Sequence, residues 1–230
     1  MTRSFIMKKL LVLLFCLFNI LPTAMAKPDG GLTVMILGDS LSTGYGLPAD
    51  ASWVNLLKQR MQALSPRYQV VNISISGETT LGGRNRIEQA LKTHHPDIVI
   101  IGLGGNDGLR GASIKSIHDN LEAIIQTCQQ YHATPILAGM QLPPNYGIAY
   151  TQKFRNIYTD LAERYQLKLI PFLLAGFGDK REYFLADGIH PDIPAQKIIT
   201  ENVWDVLHTM LESGFSSAKG TIQTVPTYNN

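Results

Sequence analysis

"DIVIIGL", residues Asp97 to Leu103, is the stretch on which the fold turns. From Ile98 onward it is apolar without alternation. A strand with one face in water alternates polar and apolar side chains, whereas one covered on both faces does not. Pro96 stands directly before it and closes the preceding helical pattern, and glycines follow it. The run therefore reads as an inner strand of a parallel sheet.

Working outward, four more strand-like runs appear: Thr33–Leu37, Tyr68–Ile75, Thr134–Ala138 and a short Leu167–Pro171. Helical patterns separate them. Trp53, Leu56, Leu57, Met61 and Leu64 share one helical face, and further helices are expected over Thr79 to about His95, Ile114–Tyr131, Ile148–Tyr165 and about Pro194–Leu211. His94 and His95 read as solvent-facing cations at a helix end. Regular alternation of strand and helix predicts an α/β domain with a mostly parallel sheet. Such sheets bind ligands outside the carboxyl ends of their strands. The turns to inspect are Gly38–Ser40, Ser76–Gly77, Gly104–Asp107, Gln141–Gly147 and the loop before the last helix.

Arg3, Lys8 and Lys9 precede an apolar run from Leu10 to Leu21, and Ala24-Met25-Ala26 follows. This is the pattern of a cleaved secretory signal, and the run is shorter than the roughly 20 residues a membrane span requires. The expected division is a leader over 1–26, one domain over 27–213 and a tail over 214–230 that lacks periodicity. The destination would be the periplasm or the exterior. The full chain carries 20 basic and 18 acidic residues, and the leader holds three of the basic ones and no acid. The remainder is thus near neutrality, with 17 against 18, which gives no electrostatic case for nucleic acid. Only Cys128 would remain of the two cysteines, so no internal disulfide is expected. It reads as a small core residue.

The strand-end turns carry residues suited to acyl transfer. Ser40 follows the first strand in "GDSLS", Gly77 the second in "SISGETT", and Asn106 the third in "GLGGND"; "DGIHP" brings Asp187 and His190 before the last helix. A serine hydroxyl needs an imidazole to take its proton, and the imidazole needs an acid on its other nitrogen. The tetrahedral intermediate needs donors aimed at its oxyanion. Taken singly, each residue has a plainer reading. Ser40 could cap a helix, and Asn106-Asp107-Gly108 could be a turn in which Gly108 takes positive φ. Asp187, His190 and Asp192 could together suggest a metal, without a second His or Cys cluster to support it. No G-x-S-x-G elbow is present. Gly44-Tyr45-Gly46-Leu47-Pro48-Ala49 fits a dinucleotide fingerprint only superficially, because Pro48 interrupts it and no acid ends the second strand.

In order and in company, the four blocks resemble those of the GDSL, or SGNH, hydrolases. "GLGGNDGLRG" (Gly102–Gly111), "SIKSIHDNL" (Ser113–Leu121) and "LPPNYG" (Leu142–Gly147) are similar to a bacterial periplasmic subgroup of thioesterases and lysophospholipases. The resemblance implies a flavodoxin-like three-layer fold whose five-stranded parallel sheet has the order 2-1-3-4-5. It implies catalysis by Ser40, Asp187 and His190, with an oxyanion hole from Ser40, Gly77 and Asn106. Gly108, Leu109, Asn145 and Tyr146 would border an acyl groove. No cofactor or metal is implied, and the partner would be a small acyl ester or thioester met by a monomer without a membrane anchor. A carbohydrate O-acetylesterase on the same scaffold, or a non-catalytic binding module that kept the fold, are the alternatives.

Overall fold

The computed structural model describes residues 31–212, so the expected leader and tail lie outside the described residues. Five strands, β1 (Leu32–Gly38), β2 (Tyr68–Asn72), β3 (Ile98–Gly102), β4 (Thr134–Ala138) and β5 (Lys168–Ile170), form one parallel sheet in the order β2-β1-β3-β4-β5. The inner strands are covered on both faces: Val34–Leu37 and Ile98–Ile101 are fully buried. The edge strand β2 instead exposes Gln69 and Asn72.

The helices are α1 (Ser40–Thr43), α2 (Trp53–Leu64), α3 (Thr80–His94), α4 (Gly105–Leu109), α5 (Ile114–Gln130), α6 (Ile148–Arg164) and α7 (Ile193–Glu212). α5 packs against both α3 and α6, and α2 packs against α7, as helical crossovers between parallel strands place them. Side-chain caps start them where the sequence offers Ser, Thr or Asp: Ser52 accepts from Asn55 N–H, Thr79 from Gly82 N–H and Ser113 from Ser116 N–H. Among the described residues no helix is long and apolar enough to cross a membrane.

Three expectations change in detail. β2 ends at Asn72, not Ile75, because the Asn72 side chain turns the chain: its Oδ1 accepts from Ser74 N–H at 3.1 Å and its Nδ2 donates to Ser42 O at 2.7 Å. Leu64 is 56% exposed, since it is the last residue of α2, where the chain leaves for an exposed turn at Pro66 and Arg67. His95 lies outside α3 as its left-handed cap, with φ 43°, and is exposed, while His94 is half-buried. Cys128 is buried in the core, and burial pushes its thiol up to about 12.

The strand order reverses between β1 and β3. That switch point lies between the turn carrying Ser40 and the turn carrying Asn106, so the topology alone brings two of the candidate blocks together.

Candidate active site

β1 runs to Gly38, where a Cβ would meet Ser42 Oγ at 2.6 Å. A side chain there would push away the turn that follows. Asp39 is next, extended and buried, and its Oδ1 accepts from Leu41 N–H at 3.0 Å. Asp39, not Ser40, is therefore the cap, and Ser40 is the first residue of α1. Gly44 ends this one-turn helix in the left-handed region, φ 73°. The turn is anchored from outside by Asn72 Nδ2 on Ser42 O and by Trp53 Nε1 on Leu41 O at 3.0 Å. Thr43 Oγ1 and Ser76 Oγ lie 3.0 Å apart and tie α1 to the loop that carries Gly77.

His190 reaches this turn across 150 residues of sequence. Its Nε2 lies 2.9 Å from Ser40 Oγ, and its Nδ1 lies 2.7 Å from Asp187 Oδ2. The loop bearing both residues is held by its own hydrogen bonds. Arg181 donates to the carbonyls of Phe184, Leu185 and Ala186, and Leu185 N–H donates to His190 O at 2.8 Å. Asp187 Oδ1 accepts from the Ile189 and His190 N–H groups at 2.8 and 3.0 Å. These backbone donors, His190's first, together with the imidazole, hold the Asp187 carboxyl down at about 2. Asp192 is turned to another task, accepting from Ala195 N–H at the start of α7. The ring of Tyr45, which the sequence reading passed over, stands 4.4 Å from the His190 ring at a tilt of 36°.

The oxyanion candidates come next. Gly77 has φ 79°, and among the described residues neither its N–H nor that of Ser40 donates to a protein acceptor. Asn106 sits in α4, so the expected turn is in fact a short helix. Its Nδ2 donates to Asp39 Oδ2 at 3.2 Å and to Glu78 O at 3.0 Å. The neighbouring Asp107 fastens α4 in place. Its buried carboxylate accepts from Thr80 N–H at 2.9 Å and Thr80 Oγ1 at 2.6 Å, and Asn120 Nδ2 donates to the same Oγ1. No local motif announces that network, because its members lie on three separate helices. Asn106→Ala is expected to lower kcat about 10²–10³-fold with KM nearly unchanged. Alanine suits a helix, so the fold should persist; steady-state kinetics and a melting curve on one preparation check this.

Asp39 is 2% exposed, and burial raises its carboxyl to about 6. The folded state thus holds this proton more tightly than the unfolded chain, and the associated stability is lost as pH rises from about 4 through about 6. The melting temperature of the wild type minus that of Asp39→Asn should fall across that window; melting curves at closely spaced pH values check it.

Gly108 does not take positive φ, contrary to the turn reading. Glycine is needed there for packing: a Cβ would meet Leu142 at 2.7 and 2.9 Å and Phe154 at 2.9 Å. Gly108→Ala should cost about 1–3 kcal/mol through overpacking, to be read from chemical denaturation. The two loops expected to border an acyl groove are joined, since Tyr146 Oη donates to Leu109 O at 3.0 Å. Leu109 and Asn145 are both exposed on that side.

Comparison with known proteins agrees with this geometry. Residues 36–198 match the model of the GDSL-like lipase/acylhydrolase family. The chain is 40% identical over 201 residues to esterase TesA of Pseudomonas aeruginosa, covering 87% of this chain and 98% of that protein. It is 41% identical over 169 residues to thioesterase 1/protease 1/lysophospholipase L1 of Escherichia coli K12, covering 74% and 80%. Among solved structures, the psychrotrophic esterase EstA from Pseudoalteromonas sp., inhibited by monoethylphosphonate, superposes with a TM-score of 0.74 at 35% identity over 78% of this chain and 98% of that one. With its Ser, Gly and Asn blocks after β1, β2 and β3, its His block before α7, and these relatives spanning most of its length, the chain belongs to the GDSL-like lipase/acylhydrolase family.

Proposed function

We propose that this enzyme hydrolyses acyl esters and thioesters through an acyl-enzyme on Ser40. The observation that carries the reading is the continuous relay from Ser40 Oγ to His190 Nε2 and from His190 Nδ1 to Asp187 Oδ2, at 2.9 and 2.7 Å. His190 takes the hydroxyl proton at Nε2 as Ser40 Oγ bonds to the acyl carbon, and Asp187 holds the proton on Nδ1 and balances the imidazolium. Charge gathers on the former carbonyl oxygen, where the N–H groups of Ser40 and Gly77 and the Asn106 amide donate. His190 then passes its proton to the leaving alcohol or thiol, whose bond to the acyl carbon breaks. Water repeats the sequence to release the acid and free Ser40.

The relatives' names (esterase, arylesterase and thioesterase/lysophospholipase) support acyl substrates of more than one leaving group. The joined loops at Gly108–Leu109 and Asn145–Tyr146 are assigned the acyl chain. A fluorophosphonate probe should label wild type and not Ser40→Ala. p-Nitrophenyl esters of increasing chain length then separate this reading from an acetyl-specific esterase. Activity on acetate that collapses for longer chains overturns the acyl-groove assignment, and absence of labelling overturns the enzyme itself.

The same reading makes residues 1–26 a cleaved leader and 27–213 a single, monomeric hydrolase domain that works outside the cytoplasm. The basic and then apolar N-terminal pattern supports it. N-terminal sequencing of exported protein should begin at Lys27.

A further inference from the structure

We infer that the carboxyl end of the sheet docks on an anionic phospholipid bilayer, with Leu81, Leu109 and Ile148 entering the surface and Arg84 and Arg110 meeting its phosphates. The inference rests on the acyl-ester reading above, and it supplies a route by which an apolar substrate chain reaches Ser40.

Among the described residues, the exposed large hydrophobic side chains are not scattered. Single exposed apolar groups are ordinary on any protein, but a concentration of them on one face is not. Leu64 alone lies at the amino end of the sheet, as the last residue of α2. Ile75 and Leu81 follow β2, Leu109 follows β3, and Ile148 follows β4. The others, including Tyr45 and Ile189 beside His190, also lie at the carboxyl end, where Ser40 stands. Ile148 is 73% exposed, whereas Phe154, Ile157 and Leu161 of the same helix are buried.

Hydrogen bonds join these turns into one surface. Arg110 Nη2 donates to Gly77 O at 3.4 Å, which sets Leu109 and Arg110 beside the loop that carries Ile75. Tyr146 Oη donates to Leu109 O, and Gly147 and Ile148 follow directly in the chain.

Charge selects the partner. Arg84 lies three residues beyond Leu81, on the same face of α3. It donates to the Asn120 amide oxygen, and Arg110 donates to a backbone carbonyl, so neither positive charge meets a carboxylate among the described residues. The carboxylates of this side are engaged elsewhere: Glu78 with Arg86, Asp107 with Thr80, and Asp119 with Lys115. Interfacial binding draws on both buried apolar area and attraction to anionic lipid. A second copy docked through the same face would instead bring two sets of arginines to one interface. No described helix is long and apolar enough to cross a membrane, so the contact proposed is with the bilayer surface. Seated there, the loops at Gly108–Leu109 and Asn145–Tyr146 open toward the hydrocarbon. An acyl chain then passes to Ser40 without crossing water, a transfer that costs more with every methylene.

The test is co-sedimentation of purified exported protein with vesicles of phosphatidylcholine alone, or of equal parts phosphatidylcholine and phosphatidylglycerol. Wild type should bind the anionic vesicles, release as salt is raised, and bind the neutral ones weakly. Leu81→Ser/Ile148→Ser should weaken binding about tenfold or more, since affinity scales with the apolar area inserted. Its turnover of dissolved p-nitrophenyl acetate should match wild type, because neither residue belongs to the site. Arg84→Gln/Arg110→Gln should bring binding on anionic vesicles down to the neutral level. Wild type that binds neither vesicle, or both equally, overturns the inference. So does unchanged binding, or lost turnover, in Leu81→Ser/Ile148→Ser. A dimer that this pair dissolves, without vesicle binding, gives the face to a second copy and overturns it too. If the pair does not fold, Ile148→Ser alone is read by the same criteria, and failure of both makes these side chains structural and ends the inference. Wild type without turnover of the dissolved ester brings down the proposed function itself, and the turnover measurement recognises that separately from the vesicles.

Discussion

Ser40→Ala is expected to abolish ester turnover, with a loss on the order of 10⁶-fold in kcat. The oxygen it removes is the atom proposed to bond to the acyl carbon, and among the described residues the two nearest hydroxyls of the same helix are not placed to take over. Ser42 Oγ is buried without a hydrogen-bond partner, and Thr43 Oγ1 faces Ser76. What remains is catalysis by the oxyanion donors and by binding alone. The fold should survive, because the helix cap belongs to Asp39 and the anchors of α1 run to the carbonyls of Leu41 and Ser42. Turnover of a purified variant with a wild-type melting curve is the measurement. More than a few per cent of wild-type kcat would remove Ser40 from the chemistry.

Asp187→Asn should cost up to about 10⁴-fold in kcat, as loss of the orienting acid does in other serine triads. The backbone holds the reason. Oδ1 accepts from the Ile189 and His190 N–H groups, so an asparagine keeps its oxygen on that side. Its amide nitrogen then faces His190 Nδ1, which must become the acceptor and leave its proton on Nε2. A protonated Nε2 cannot take the proton of Ser40. The loop should remain folded, since Arg181 and the Leu185–His190 hydrogen bond hold it independently. The check is kcat together with fluorophosphonate labelling, which should slow in parallel. Fast labelling combined with slow turnover would place the defect in deacylation.

Much of this was legible in the chain. Continuous apolar runs bounded by glycine and proline marked the buried parallel strands, and the alternation of elements marked their order along the chain. Both signals are local, because burial on two faces removes polar residues from a strand wherever its partners lie. The candidate residues Ser40, Gly77, Asn106, Asp187 and His190 were legible because each sits where a parallel sheet ends a strand or opens a loop. Tertiary structure decided the remainder. It made Asp39 the cap and Ser40 the first helical residue, turned the Asn106 segment into a helix, and required glycine at 108 for contact with Leu142 and Phe154 instead of for φ. It joined Asp39 to Asn106, Thr80 to Asp107 and Asn120, and Tyr45 to His190. These contacts span tens of residues or more and involve one side chain at each end. They leave no periodicity or spacing to read, and only the folded packing of strands and helices brings them together.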